Sequence, residues 1–147
     1  MELRPGTPDD HAAIRNLLRE SRLPVDDLDT APVDFVVACD GDALVGVVGV
    51  EPFGDVGLLR SLAVHGARRG QGLGGRLVEA MEARAASQGH RQLVLLTETA
   101  AAFFARRGYA AIPRDQAPAT VQASAEFRSL CPASAVCMTK RPESRHD

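Results

Sequence analysis

A glycine-rich, basic segment is the part of this sequence best suited to chemistry. It reads Arg69-Gly70-Gln71-Gly72-Leu73-Gly74-Gly75 and lies between an apolar run and a predicted helix. The first N–H groups of a helix lack intrahelical acceptors, and the helix dipole adds partial positive charge there. Glycines let these groups approach an anion without interference from a Cβ atom. The segment therefore predicts a phosphate-binding helix start.

Two common phosphate-binding motifs do not fit this segment. A P-loop requires a Lys followed by Ser or Thr after its last glycine, and no Lys follows these glycines. A dinucleotide fingerprint opens a parallel βαβ unit, whereas these glycines follow a run of strands that reads as an antiparallel meander. The spacing Arg-x-x-Gly-x-Gly also differs, so the segment belongs to neither class.

Arg60 is a charged residue in the middle of an apolar run that reads as a strand. Alternation along a strand places it on one face together with Leu58 and Leu62. A buried guanidinium must be paired, or it costs several kcal/mol. Two interpretations remain open: an ion pair with Glu51 or Glu98, or recognition of an anionic group on a substrate, for which the forked guanidinium is suited.

The elements around these residues follow a mixed α/β pattern. Helices are predicted from a Thr7 cap to Leu23, over 72–88 with Gly89 at its end, over 98–107, and over 119–128. Strands are predicted over 2–4, 35–39, 44–50, 56–64, 93–97, 109–112 and 135–140. The strand over 56–64 is apolar on both faces apart from Arg60 and Ser61, which indicates a central position in the sheet.

The bulk composition restricts the class of protein. A chain of 147 residues with 45% hydrophobic residues is long enough for one domain, and we expect residues 1–141 to form it and 142–147 to be a polar tail. The net charge of −2 argues against a nucleic-acid partner. No segment resembles a signal peptide or a membrane span, so a cytoplasmic protein without a membrane partner is predicted.

The cysteines and histidines do not form a recognisable metal site. Cys39, Cys131 and Cys137 have no paired spacing, and buried thiols are the simplest interpretation. Cys131 and Cys137 could in principle form a soft-metal pair, which leaves As(III) binding as an alternative. No two of the four histidines have ligand spacing, and we predict no metal.

Arg69-x-x-Gly72-x-Gly74 resembles the (Gln/Arg)-x-x-Gly-x-(Gly/Ala) motif of the GCN5-related N-acetyltransferases, and the run ending Leu62-Ala63-Val64 resembles their fourth strand. The likeness extends over essentially the whole chain. It implies a mixed, mostly antiparallel sheet that splays in the middle, with helices on both faces. It also implies that acetyl-CoA lies in the split, with pantetheine on the backbone of Leu62 and Val64 and pyrophosphate on the amides of residues 70–75.

Three further segments resemble the acetyltransferases encoded in bacterial arsenic-resistance operons. They are residues 54–62, 103–109 and 125–135. Together with Arg60, this resemblance suggests an anionic acceptor, such as an amino acid that contains an arsenic or phosphinate group.

The implied reaction is attack of a neutral amine on the thioester, and it needs groups that move protons. Phe104 stands where many relatives have a Tyr acid, and Leu58 stands where some have a catalytic Glu. Tyr109, a hydroxyl or water would then protonate the thiolate, unless it leaves unassisted.

Two acidic residues and one hydroxyl complete the set of candidate site residues. Glu51 and Glu98 are candidates for contacting the substrate amine or a base water, although a surface carboxylate is the simpler interpretation for each. Thr97 stands where relatives often have Asn, and it either orients the coenzyme or caps the following helix, the cap being the simpler role.

These observations favour an acetyl-CoA-dependent N-acetyltransferase that acts on a small amine. The absence of the Tyr and Glu side chains keeps a different class open, a non-catalytic acyl-CoA-binding sensor. The resemblance is compatible with a homodimer, because many relatives form one.

Overall fold

The structure, a computed structural model, describes residues 1–142. Its strands are Glu2–Pro5 (β1), Asp34–Asp40 (β2), Ala43–Phe53 (β3), Val56–Val64 (β4), Gln92–Thr97 (β5), Ala110–Ile112 (β6) and Val136–Lys140 (β7). Its α-helices are His11–Glu20 (α1), Leu73–Ser87 (α2), Ala101–Ala105 (α3) and Ala119–Gln122 (α4). A π-helical turn over Glu126–Leu130 connects α4 to β7. Residues 143–147, most of the predicted tail, lie outside the described residues.

All seven strands belong to one sheet in the order β1-β2-β3-β4-β5-β7-β6. Neighbouring strands are antiparallel except for β4 and β5, which are parallel. That parallel pairing covers only residues 56–58 against residues 92–94. Beyond these residues the two strands separate, so the predicted splayed, mostly antiparallel sheet is confirmed.

Helices cover both faces of the sheet, as predicted. On one face α1 buries Ile14, Leu17 and Leu18, which its helical spacing brings to a single side. On the other face α2 buries a longer apolar stripe that includes Leu77 and Met81. The split between β4 and β5 is therefore held between two packed layers, and its walls are fixed by the core.

A β-bulge interrupts β4 in the middle of the sheet. Gly49 of β3 is opposite Arg60, but Val47 is opposite Ala63, so β4 contains one extra residue in this interval. Ser61 lies in the bulge and has a φ of 61°, which is rare for a residue other than glycine.

The bulge corrects the predicted alternation along β4. The extra residue reverses the alternation, so Leu62 does not share a face with Leu58 and Arg60. Leu62 packs against the α2 core instead, and Ala63 packs against the α1 core. The prediction that Leu58, Arg60 and Leu62 share a face was therefore wrong for Leu62.

The two helices predicted after β5 are shorter than expected. The helix predicted over 98–107 begins only at Ala101, because residues 98–100 form the turn that leaves β5. The helical stretch predicted over 119–128 divides into α4 and the π-helical turn. Within residues 1–142, no helix has the length and apolar character needed to cross a bilayer.

Candidate functional site

A cleft of about 720 Å³ opens where β4 and β5 separate, and it is called here the β4–β5 cleft. One wall is formed by residues 59–62 of β4 and the other by residues 95–100. Glu126 and Cys131 border it from the segment after α4, and Arg22 and Asp26 border it from the loop after α1. Backbone, hydroxyl and carboxylate groups therefore line a cavity large enough for a small molecule.

A second cavity of about 310 Å³ lies at the start of α2, and it is called here the α2 pocket. Its lining includes most of the predicted coenzyme loop: Val64, Arg68, Arg69, Gly70, Gly72, Leu73, Gly74, Gly75, Phe103 and Arg107. Gln71 is exposed and does not line the pocket. Ala63 also lies outside it, because the bulge turns its side chain to the α1 core.

The backbone at the start of α2 is suited to an anion. Gly70 and Gly72 have φ values of 80° and 78°, the left-handed region that favours glycine. A Cβ atom at either position would have nothing within 4 Å, so the chain is open to solvent there. Within residues 1–142, the N–H groups of Gly70, Gln71 and Gly72 have no hydrogen-bond acceptor. Together with the first amides of α2 they form a set of free donors that a phosphate group fits.

Arg107 is a cation at the α2 pocket that sequence reasoning missed. Its guanidinium lies 3.8 Å from the centre of the Phe103 ring, and its Nη1 donates to the Phe103 carbonyl oxygen at 3.0 Å. A Cβ atom at Gly75 would lie 2.6 Å from Nη2 of Arg107, so Gly75 provides the room for this side chain. The spacing of Phe103 and Arg107 along one helical turn was the available signal.

Arg60 is the centre of a buried ionic cluster, defined here as Arg60, Asp27, Glu51 and Glu126. Its Nη1 and Nη2 each donate to one carboxylate oxygen of Asp27 at 2.6 Å, and Nη1 also donates to Glu51 at 3.0 Å. Oε2 of Glu126 lies 3.6 Å from Nη2. The guanidinium hydrogen bonds hold the pKa of Asp27 below its usual value, against the opposing effect of burial.

The ionic cluster decides between the two interpretations of Arg60. The Arg60 side chain is 0% exposed, its Nη atoms face carboxylates and its Nε donates to Oγ of Ser61 at 3.2 Å, so it has no free donor for an anionic substrate. The ion-pair interpretation is therefore correct, and Glu51 is one of its partners. Glu98 is not a partner, since it is exposed on the wall of the β4–β5 cleft. The sequence could not single out Asp27 and Glu126, because each lies in a separate irregular segment.

The structure brings only one of the other three catalytic candidates to the β4–β5 cleft. Glu98 lines it, whereas Glu51 is buried within the ionic cluster and does not. Tyr109 is also absent from the lining, and its hydroxyl donates to Glu82 on α2 at 2.8 Å. Burial raises the pKa of Tyr109, and the nearby Glu82 carboxylate adds to this effect. Tyr109 was one of several alternative acids, and its position outside the cleft lining gives that alternative no support.

Thr97 and Phe104 both border the β4–β5 cleft. Oγ1 of Thr97 accepts a hydrogen bond from the N–H of Ala100 at 3.0 Å and so supports the turn into α3. Phe104 packs edge-on against Phe103 and Tyr109, with ring centres 5.0 and 5.3 Å apart. Thr97 thus has the predicted capping role, and Phe104 provides an apolar wall without a proton to donate.

Replacing Thr97 with Val is expected to lower the free energy of unfolding by about 1 kcal/mol, because the Ala100 N–H loses its acceptor while the side chain keeps its shape. Urea denaturation measures this change. Thr120→Val, on the exposed face of α4, is the control and should change stability by less than about 0.5 kcal/mol. Equal stability of the two variants would contradict the capping role of Thr97.

The three cysteines are free thiols. Burial raises the pKa of Cys137, and burial together with the Glu126 carboxylate raises the pKa of Cys131 to about 12. These shifts lower the thiolate character of both residues, and the As(III) alternative stays a prediction. No three His, Cys, Asp or Glu side chains within the part of the chain that the structure describes converge as metal ligands.

A family model described as "Acetyltransferase (GNAT) domain" matches residues 31–111. The chain belongs to the GNAT family. The matched region runs from before β2 to β6, and it contains both walls of the β4–β5 cleft and the start of α2. The motif-based expectation of this family is therefore confirmed, whereas the arsenic-resistance subgroup stays a prediction. No curated protein sequence matches this GNAT chain.

Solved structures of the same fold include complexes with coenzyme A. N-acetylglutamate synthase from Neisseria gonorrhoeae, complexed with coenzyme A and L-arginine, has a TM-score of 0.78 and 21% identity over 97% of this chain. This chain spans only 33% of that synthase chain. Rv2747 from Mycobacterium tuberculosis, in complex with CoA and NLQ, has a TM-score of 0.80 and 24% identity, covering 96% of this chain and 99% of that chain.

An aminoglycoside 6'-N-acetyltransferase complexed with coenzyme A also has this fold. Its TM-score is 0.73 at 20% identity, and the match covers 100% of both chains. At these identities the likeness establishes the GNAT fold, with its mixed, mostly antiparallel sheet and flanking helices.

Proposed function

We propose that this GNAT protein transfers the acetyl group of acetyl-CoA to the primary amine of a small molecule. The observation that carries the proposal is the separation of β4 from β5, which opens the β4–β5 cleft beside the free amides at the start of α2. A thioester that enters the split along β4 reaches the acceptor side of the sheet. We further propose that residues 1–141 form a single N-acetyltransferase domain.

The donor side of the site fits acetyl-CoA. The free amides of residues 70–75 would hold the pyrophosphate, and Arg69 and Arg107 would add positive charge around it. Beyond residue 58 the β4 backbone has no partner on β5, so backbone groups near Leu62 and Val64 could contact the amide groups of pantetheine. The Val64 carbonyl oxygen already accepts a hydrogen bond from Nε of Arg69 at 3.2 Å, which would have to yield to a pantetheine donor. This arrangement supports the roles proposed for the loop residues and for the C-terminal half of β4.

The acceptor side supplies the remaining chemistry. Attack of an amine on the thioester needs removal of the ammonium proton and departure of a thiolate. Ordinary thiols have a pKa near 8.5, so the thiolate is a fair leaving group without the acid that Phe104 cannot provide. The Ser61 and Thr97 hydroxyls line the cleft, and each accepts a hydrogen bond within the protein. Each hydroxyl thus retains its own proton to donate.

The contacts of Arg60 bear on which amines should be tested first as acceptors. Arg60 gives no support to an anionic substrate, because its donors face carboxylates. Exposed Arg22 at the edge of the cleft is the cation that an organoarsenical or phosphinate amino acid would meet there. Neighbours with this fold are complexed with L-arginine or named for aminoglycosides, which makes cationic amines the first acceptors to test.

The proposal is tested with the purified chain and acetyl-CoA. Thiol release is measured across a panel of polyamines, aminoglycosides, neutral amino acids and acidic amino acids, and the products are identified by mass spectrometry. We expect acetyl transfer to at least one amine of the panel at a rate well above thioester hydrolysis. Binding of acetyl-CoA by calorimetry without transfer to any amine would instead support the non-catalytic sensor.

A further inference from the structure

Glu126 is a buried carboxyl group that borders the β4–β5 cleft. The residue is 5% exposed and begins the π-helical turn after α4. Among the three carboxylates of the ionic cluster, Glu126 alone lines the cleft, while Asp27 and Glu51 do not. A molecule in the cleft can therefore reach Glu126 but not the other two.

The Arg60 guanidinium forms its hydrogen bonds to carboxylates with Asp27 and Glu51 and forms none with Glu126. Asp27 accepts two hydrogen bonds of 2.6 Å from the guanidinium and Glu51 accepts one of 3.0 Å. Glu126 lies at 3.6 Å, beyond hydrogen-bond distance, and its other oxygen accepts only a weak bond from the Cys131 thiol at 3.5 Å. Glu126 is thus the carboxyl group with the weakest partners in the cluster.

The cluster lacks positive charge when its carboxyl groups are ionised. One guanidinium faces three carboxylates, so a cation that enters from the cleft is attracted to the least satisfied of them. Burial raises the pKa of Glu126, while Arg60 and the Cys131 hydrogen bond oppose the rise, and Asp27 and Glu51 add to it. A carboxylate with a raised pKa is a stronger base than an ordinary one. The other charged groups that line the cleft are Asp26, Glu98, Arg22 and Arg60 itself, whose charge is opposed by the carboxylates around it.

We propose that Glu126 receives the ammonium group of the acceptor in the β4–β5 cleft and accepts the proton that must leave before attack. This inference rests on the proposed acetyl transfer and adds the catalytic base to it. It also selects the substrate class: amines that enter as cations, with polyamines preferred over acidic amino acids. Glu98, the base candidate from the sequence, is exposed on the opposite wall and has no such buried environment.

The proton and electron pairs balance in this step. An N–H bond of the ammonium breaks, its electron pair stays on nitrogen, and the proton joins the Glu126 carboxylate. The amine nitrogen then bonds to the thioester carbonyl carbon, and the C–S bond breaks with its pair left on sulfur. The thiolate takes up a second proton from nitrogen, and Glu126 releases its proton to water. Ammonium and thioester thus become amide, thiol and one free proton.

The decisive variant is Glu126→Gln, which keeps the shape of the side chain and removes the base. With spermidine as acceptor, we expect kcat at pH 7 to fall about 100-fold. The deficit should shrink toward pH 9, where the amine loses its proton without help. Glu126→Asp should recover part of the rate. Glu79→Gln, on the exposed face of α2, is the matched control and should behave as the parent protein.

Two further measurements distinguish loss of the base from loss of folding or of acetyl-CoA binding in Glu126→Gln. Melting temperature and acetyl-CoA affinity should be unchanged in Glu126→Gln, since a neutral side chain replaces a poorly solvated one. Calorimetry of spermidine with the CoA-saturated protein should show about 10-fold weaker binding in Glu126→Gln than in Glu79→Gln.

The kinetic results distinguish failure of the Glu126 role from failure of the proposed function. Parent-like kinetics of Glu126→Gln over the whole pH range would overturn the inference while the transferase stands, and so would loss of activity only in Glu98→Gln. If the parent protein acetylates nothing, the proposed function fails, and the spermidine affinities then decide whether Glu126 binds the ammonium group.

Discussion

Replacing Arg60 with Met is expected to lower the free energy of unfolding by about 3–5 kcal/mol. The substitution leaves the carboxylates of Asp27, Glu51 and Glu126 buried together without their counter-ion, the situation in which breaking a buried pair is most costly. Urea denaturation followed by circular dichroism measures the loss. The expected loss is a large share of the stability of a typical domain. The Arg60→Met variant and the parent protein are therefore compared at low temperature, where the variant is still folded.

The loss should depend on pH in a defined direction. Without the guanidinium, burial raises the pKa values of Asp27 and Glu126 above their unfolded values, so the folded state binds more protons than the unfolded state as these groups titrate. Stability of the Arg60→Met protein should therefore rise as the pH falls. In the parent protein the lowered pKa of Asp27 acts oppositely, since its contribution is present above the unfolded pKa and is lost in acid.

A matched control is available on the surface of the same protein. Arg84 donates to Asp34 at 2.6 and 3.1 Å, but both side chains are about one third exposed. Arg84→Met should therefore cost less than about 1 kcal/mol. If Arg60→Met instead had parent-like stability and had lost turnover of acidic amino acids alone, Arg60 would be a substrate anchor after all.

Replacing Gly72 with Asp is expected to weaken acetyl-CoA binding by several hundredfold to about 1,000-fold. Gly72 precedes the first residue of α2 and lines the α2 pocket. The proposed function puts the pyrophosphate of acetyl-CoA in this pocket, about 4 Å from a carboxylate at residue 72. Repulsion between two charges at that distance near a protein surface is about 4 kcal/mol. Isothermal calorimetry with acetyl-CoA measures the change in Kd.

The same substitution should have little effect on folding. An acidic residue at the start of a helix is favourable for the helix, which offsets much of the strain from the φ of 78° at this position. Gly72→Asn has nearly the same shape and conformational preference without the charge, and it should weaken binding by about 10-fold or less. Equal affinities for the Asp and Asn variants would show that no phosphate lies near residue 72.

Local patterns explain why the loop that lines the α2 pocket could be predicted from the sequence. The glycine spacing, the free amides and the helix that follows are consecutive in the chain, so the pocket at Gly70 to Gly75 depends on neighbours along the sequence. The apolar run over 56–64 likewise matched β4 at both ends. Most of the strand is buried, as its composition predicts, since a strand with two apolar faces must be covered on both.

The acceptor side depends on contacts that are distant in the sequence. Asp27, Glu51 and Glu126 converge on Arg60 from three different segments, and nothing local marks these acidic residues among the others. The predicted α3 was too long for a related reason, because helix propensity around residue 98 was outweighed by the turn that Thr97 supports. The position of Tyr109 depends on a distant contact as well, because its hydroxyl donates to Glu82 of α2 at 2.8 Å.

The extra residue in β4 has a consequence for how this chain tolerates insertion and deletion. Removing Ser61 would restore regular alternation along β4, and every side chain from Leu62 onward would exchange faces. Residues 62–64 would then lose their packing, while Arg60 would keep its partners. Point substitutions avoid this coupling, because they leave the number of residues in β4, and so the alternation on each side of the bulge, unchanged. Substitutions before the bulge can therefore change the acceptor preference without disturbing residues 62–64, which are proposed to contact the coenzyme, provided that the length of the strand is preserved.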